Sequence, residues 1–117
     1  MALCRLDDIP EGAARGFSLG EGTDRLDVLV ARRGGRAFAY VNSCPHIGTP
    51  LDWTPDRFMS ADGAHLQCAT HGALFRVEDG TCIAGPCVGQ ALSALPILVG
   101  ADGVVRLFLP GTARAGS

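Results

Sequence analysis

Cys44-Pro45-His46 and Cys68-Ala69-Thr70-His71 are the residues of this chain best suited to chemistry. They read C-x-H and C-x-x-H, with residues 47 to 67 between the two pairs. Each pair offers one thiolate and one imidazole, so together they make a set of two sulfurs and two nitrogens. Such a set suits two kinds of metal centre. A tetrahedral S₂N₂ set holds structural zinc. An iron–sulfur centre with mixed ligands takes two cysteines on one iron and two histidines on the other. Zinc spacings pair like with like, as C-x₂₋₄-C and H-x₃₋₅-H, whereas here Cys and His alternate within each pair. That alternation favours the iron–sulfur centre.

The residues around the ligands agree. Cys44-Pro45-His46-Ile47-Gly48-Thr49-Pro50-Leu51 and Cys68-Ala69-Thr70-His71-Gly72-Ala73-Leu74-Phe75 resemble the two cluster loops of Rieske proteins. Asp79-Gly80 and Gly85-Pro86 follow where that family carries a D-G turn and a G-P loop. The resemblance spans roughly residues 36–109. It implies one [2Fe–2S] cluster per chain, held by Cys44, His46, Cys68 and His71. It also implies an all-β fold, an antiparallel β sandwich of Rieske type whose cluster-binding subdomain is built from two hairpin loops. The function implied is one-electron transfer by a soluble ferredoxin between a ferredoxin reductase and a terminal oxygenase. Both partners would dock transiently near His46 and His71. Such a protein is an electron carrier within an oxidoreductase system and not a catalyst on its own. The alternative within the same resemblance is a small subunit of a larger oxidoreductase, like that of assimilatory nitrite reductase.

The departures from the respiratory members of the family are also informative. Those members clamp their two loops with a disulfide, and the matching positions here are Thr49 and Thr70. They also donate hydrogen bonds to the cluster sulfurs from a serine and a tyrosine, where this chain has Ala73 and Phe75. Hydrogen bonds to sulfur stabilise the more negative, reduced cluster. Without those hydroxyls the reduction potential is expected in the lower half of the Rieske window.

Short strands joined by tight turns must position these loops. Leu26–Arg32 and Arg36–Asn42 flank Arg33-Gly34-Gly35, and the second of them runs into Cys44. Phe58–Ser60 and His65–Gln67 flank Asp62-Gly63, and the second delivers Cys68. Leu74–Val77 and Thr81–Ile83 flank Asp79-Gly80, and Ile97–Val99 and Val104–Leu109 flank Asp102-Gly103. Further strands are expected at Ala2–Leu6 and near Gly16–Leu19. No segment carries a sustained helical period with caps. The reading is one domain over residues 1–110, its cluster-binding part spanning about 43–88, followed by a flexible tail at 111–117.

Composition bounds the function. Apolar residues make up 47% and charged residues 19% of the 117, which suits a globular domain rather than a disordered one. A net charge of −2 with no basic cluster argues against a nucleic-acid surface. The N-terminus has acids and no apolar core of a signal peptide, and no apolar run reaches the roughly 18 residues that span a bilayer. With five cysteines, an odd number, the simplest location is the reducing cytoplasm. Cys82 and Cys87 suit buried thiols better than a local disulfide, and Cys4 suits a packing role. His65, the one histidine beyond the ligand pairs, leaves no set for a second, mononuclear iron. Trp53 reads as a core or loop-capping aromatic, and Asp52, Asp56, Arg57, Glu78 and Asp79 as solvated charges.

Overall fold

The computed structural model describes residues 2–45, 50–52, 57–68 and 72–108. These contain β1 (Ala2–Arg5), β2 (Ala14–Leu19), β3 (Leu26–Arg33), β4 (Arg36–Val41) and β5 (His65–Gln67). They continue with β6 (Leu74–Arg76), β7 (Cys82–Ala84), β8 (Ala94–Leu95), β9 (Ile97–Val99) and β10 (Val104–Leu107). The strands form three antiparallel sheets, ordered β1-β10-β9, β2-β3-β4-β8 and β5-β6-β7. The all-β expectation holds. No helix among the described residues is long and apolar enough to cross a membrane.

The middle of the fold is set by β3. From Val28 to Ala31 it is apolar and fully buried, and a strand buried on both faces needs a core on each side. Leu29 and Ala31 join Tyr40, Phe58, Leu66 and Phe75 in one core, while Val30 joins Ile9, Ala39 and Val105 in the other. The four-stranded sheet is therefore the central layer. The β1-β10-β9 sheet covers one face and the small β5-β6-β7 sheet, from which the Cys68 loop leaves, covers the other. Each large side chain buried this way contributes about 1.5–3 kcal/mol.

The recurring aspartate–glycine turns share one device. The carboxylates of Asp62, Asp79 and Asp102 each accept the backbone N–H two residues on, from Ala64, Thr81 and Val104 at 3.0, 2.9 and 3.1 Å. This is the Asx turn, and it closes each hairpin locally. The β3–β4 hairpin is capped from outside instead. Glu11 accepts from the N–H groups of Gly35 and Gly34 at 2.9 and 2.5 Å, and these bonds hold its carboxyl below the usual range.

Three details depart from the expected strands. Phe58–Ser60 contracts to a single bridge, Met59 to Leu66, flanked by the Ser60 N–H to His65 carbonyl bond at 2.8 Å and the Gln67 N–H to Phe58 carbonyl bond at 2.7 Å. The short β8, which pairs Ala94 and Leu95 with Tyr40 and Ala39, is an addition. β1 finds its partner in β10 at the far end of the chain.

Tyr40 ties the central sheet to the cysteine-bearing one. Its hydroxyl donates to the carbonyl of Val77 at 2.5 Å, and burial, with the charges of Asp79 and Glu78 behind it, pushes its pKa to about 12. A folded-state pKa above the unfolded value of 10.0 gives stability that is whole below pH 10 and declines as the pH rises toward 12. Stability measured by denaturant is therefore expected to fall between pH 9 and 11.5 in the native protein by on the order of 2 kcal/mol. Tyr40→Phe should remove most of that slope; an unchanged slope would show that another group carries it.

Candidate metal centre

Each cysteine loop leaves a strand and is pinned at its ends. After β4, Cys44 is 1% exposed, and the Asn42 side chain spans the loop that follows it. The Asn42 amide oxygen accepts from the Leu51 N–H at 2.8 Å, and its nitrogen donates to Asp52 Oδ1 at 3.0 Å. After β5, the fully buried Cys68 donates its N–H to the carbonyl of Ala73 at 2.9 Å and accepts from the N–H of Gly72 at 2.8 Å. Gly72 and Ala73 are thus both bonded back to Cys68 just before β6 starts.

A third loop, Gly85 to Gln90, packs beside these two. It follows a bulge in β7, where the register shifts between Leu74–Ala84 and Phe75–Cys82. Bulges re-aim side chains; here Cys82 points into the core and Ile83 is 45% exposed. The loop is closed by Cys82 N–H to Gln90 carbonyl and Gln90 N–H to Cys87 carbonyl, both 2.9 Å. Gly85, at φ +96°, sits so close to the second cysteine loop that a Cβ there would lie 2.8 Å from Ala73 Cα.

The predicted ligand set divides in two. Cys44 and Cys68 are brought into the same core with Ala73, Cys82 and Cys87. His46 and His71 lie outside the described residues, as do Thr49, Thr70, Trp53 and Asp56. Ala73 and Phe75 are fully buried and bring no hydroxyl to the site. Cys82 and Cys87 are free thiols, as expected, with their sulfurs 3.0 Å apart. Cys4 packs on edge strand β1 against the second core. Of the charges read as solvated, Glu78 pairs with Arg33 at 3.1 Å and Asp79 with Arg76 at 3.2 Å.

Buried, soft sulfur donors on separately pinned loops fit a metal–sulfur group, since a thiolate sheltered from water needs a cation to justify its charge. The thiols of Cys44, Cys82 and Cys87 do not form a metal site by themselves. Among the described residues, no group of three or more His, Cys, Asp or Glu side chains is placed to hold an ion. Sequence reasoning missed Asn42 and the proximity of Cys87. Asn42 carries a local signal, because an amide at a strand end can donate and accept at once. Nothing near Cys87 in the sequence points to Cys44.

Fold and site together define a small β domain built to hold a metal–sulfur group between pinned loops. The family model for the Rieske [2Fe-2S] domain matches residues 1–103, and the chain belongs to that family. Its members bind a [2Fe–2S] cluster, and so does this chain. Solved structures agree on the fold. The ferredoxin of carbazole 1,9a-dioxygenase from Nocardioides aromaticivorans IC177 is 25% identical, with a TM-score of 0.70 over 92% of this chain and 94% of that one. A ferredoxin in complex with the oxygenase of carbazole 1,9a-dioxygenase is 23% identical, with a TM-score of 0.74 over 92% of this chain and 100% of its own. The terminal oxygenase of carbazole 1,9a-dioxygenase from Novosphingobium sp. KA1 is 25% identical, with a TM-score of 0.74, over 93% of this chain but 29% of its own. No curated protein sequence matches.

Asn42→Ala should leave the buried Leu51 N–H unpaired at a cost of about 1–3 kcal/mol and open the first loop. The expected result is a lower melting temperature together with faster bleaching of the visible absorbance under an iron chelator. Bleaching at the native rate would show that the clamp does not hold the cluster loop.

Proposed function

We propose that this chain is a soluble, cytoplasmic one-electron carrier that passes electrons from a ferredoxin reductase to a terminal oxygenase. Cys44 and Cys68 hold one iron through their thiolates, and His46 and His71 hold the other through their imidazoles. The observation that carries this reading is the pair of buried thiols, Cys44 and Cys68, each on a pinned loop of a Rieske domain. A bound [2Fe–2S] cluster supplies a one-electron couple. The protein's own residues do the rest. Asn42, the Cys68–Ala73 turn and the Gly85–Gln90 loop restrain the ligands, so little rearrangement accompanies a change of charge. The apolar core formed by Leu51, Phe58, Leu66 and Phe75 keeps water from the sulfurs. Docking occurs near His46 and His71, and the neighbours solved together with an oxygenase support that partner class.

The absence of hydroxyls at Ala73 and Phe75 sets an expected potential in the lower half of the window of roughly −150 to +300 mV. Voltammetry giving more than about +200 mV would refute that expectation. The functional test is stopped-flow oxidation of the dithionite-reduced protein by a Rieske-type terminal oxygenase, monitored by visible absorbance. Reoxidation by the oxygenase at turnover-competent rates is expected. Stoichiometric co-purification with a large catalytic subunit, without exchange of electrons in solution, would replace the shuttle by the subunit reading.

A further inference from the structure

Two thiols have no part in the proposed ligand set, yet they lie against each other. The sulfurs of Cys82 and Cys87 are 3.0 Å apart, and both residues are buried. The backbone builds this contact. Cys82 begins β7, Gly85 turns the chain at φ +96°, and Cys87 returns its side chain to the same core. Two backbone bonds hold the return, from Cys82 N–H to the Gln90 carbonyl and from Gln90 N–H to the Cys87 carbonyl, both at 2.9 Å. From there a covalent bond between the sulfurs requires an approach of only about 1 Å. Forming it would release the Cys82 thiol from the Ala84 carbonyl, 3.2 Å away, and a thiol is a weak donor whose loss costs little.

We propose that Cys82 and Cys87 form a reversible dithiol–disulfide pair whose oxidised form locks the third loop against the Cys68 loop. The oxidant is a low-molecular-weight disulfide. One cysteine sulfur attacks it, expelling a thiol and leaving a mixed disulfide, and the other cysteine then expels the second thiol. One S–S bond breaks and one forms. Two electrons pass to the oxidant, and the two cysteine protons end on the two thiols released. Adjacent sulfurs make the second step intramolecular, so the mixed disulfide does not persist. Burial slows the first step, which needs the third loop to open, and shelters the bond once made. Rival partners are few: Cys4 packs in the other core, and Cys44 and Cys68 are iron ligands on the proposed assignment. The lock reaches the second cysteine loop through Gly85, which lies inside the ring that the bond closes. A Cβ at Gly85 would stand 2.8 Å from Ala73 Cα, and the Ala73 carbonyl accepts from the Cys68 N–H. Restraining Gly85 therefore restrains the turn that holds Cys68.

The test equilibrates the purified holoprotein, without oxygen, in glutathione buffers of rising disulfide fraction, starting separately from reduced and from oxidised protein. Acid quenching, alkylation and trypsin then give one peptide, Val77–Arg106, which carries Cys82 and Cys87 and no other cysteine. In the oxidising buffers that peptide should appear unalkylated and lighter by two hydrogen atoms, with the same midpoint from both directions. Glutathione retained on either residue, a bond from either to Cys44 or Cys68, or two free thiols at the most oxidising ratio would overturn the proposal. The lock has its own readout. Oxidised wild type should lose its visible absorbance to an iron chelator about tenfold more slowly than reduced wild type. Cys82→Ala, which cannot form the bond, should bleach at one rate in both buffers. Equal rates for oxidised and reduced wild type overturn the lock, and that comparison stands even if Cys82→Ala fails to fold.

Discussion

Cys44→Ala and Cys68→Ala each yield a protein without iron, acid-labile sulfide or visible colour, whereas Cys82→Ala retains all three. The contrast separates sulfur that binds from sulfur that merely packs, since Cys44, Cys68 and Cys82 are all buried in one core. Truncating a buried cysteine costs a small cavity, which Cys82→Ala shares with the other two. What Cys44→Ala and Cys68→Ala lose in addition, on the proposed ligand assignment, is a charged ligand to a bound group. Because that group binds the folded chain and not the unfolded one, its loss also withdraws stability by mass action. Both variants should therefore melt well below Cys82→Ala. Metal analysis after anaerobic reconstitution and thermal unfolding followed by circular dichroism check this. Cys44→Ala with one intact cluster per chain would remove that residue from the site. Zinc in place of iron in the native protein would overturn the electron-carrier reading as well.

The residues that betray themselves in the sequence are those whose partners are near in the chain. The aspartate–glycine turns were legible because the Asx bond needs only two residues, and so were the strands they join. The proposed ligand pairs stand out in the sequence because a metal imposes short spacings on its donors. β1 and β10 were both expected as strands, but their pairing, Cys4 opposite Val105, links opposite ends of the chain and leaves no local trace. The apolar run Val28–Ala31 announced a buried strand without saying that two different cores would bury it. Cys87 is the sharpest instance. Read locally, it is a small buried thiol beside Pro86; only the packing of the third loop against the first makes it a neighbour of Cys44. A contact of that kind is created by tertiary structure and has no periodicity or turn chemistry to signal it.

Gly85→Ala is expected to be among the most damaging single-methyl changes in the chain, and Gly89→Ala shows why. Both glycines lie on the third loop with φ near +96° and +95°, so alanine at either meets the same backbone penalty of about 1–2 kcal/mol. At Gly89 the new Cβ meets nothing within 4 Å. At Gly85 it would stand 2.8 Å from Ala73 Cα and 3.1 Å from Ala73 Cβ. Ala73 cannot turn aside, because its carbonyl closes the Cys68 turn and its neighbour Gly72 bonds back to Cys68. Relief must come from moving one loop away from the other, at a further cost of about 1–3 kcal/mol. Out of a total stability of roughly 5–15 kcal/mol, that is a large share. Gly85→Ala should lower the melting temperature by roughly 10 °C or more and lose iron on purification, while Gly89→Ala falls by half as much or less and stays coloured. If the two variants melt together, the backbone conformation alone explains the loss, and the third loop does not brace the second.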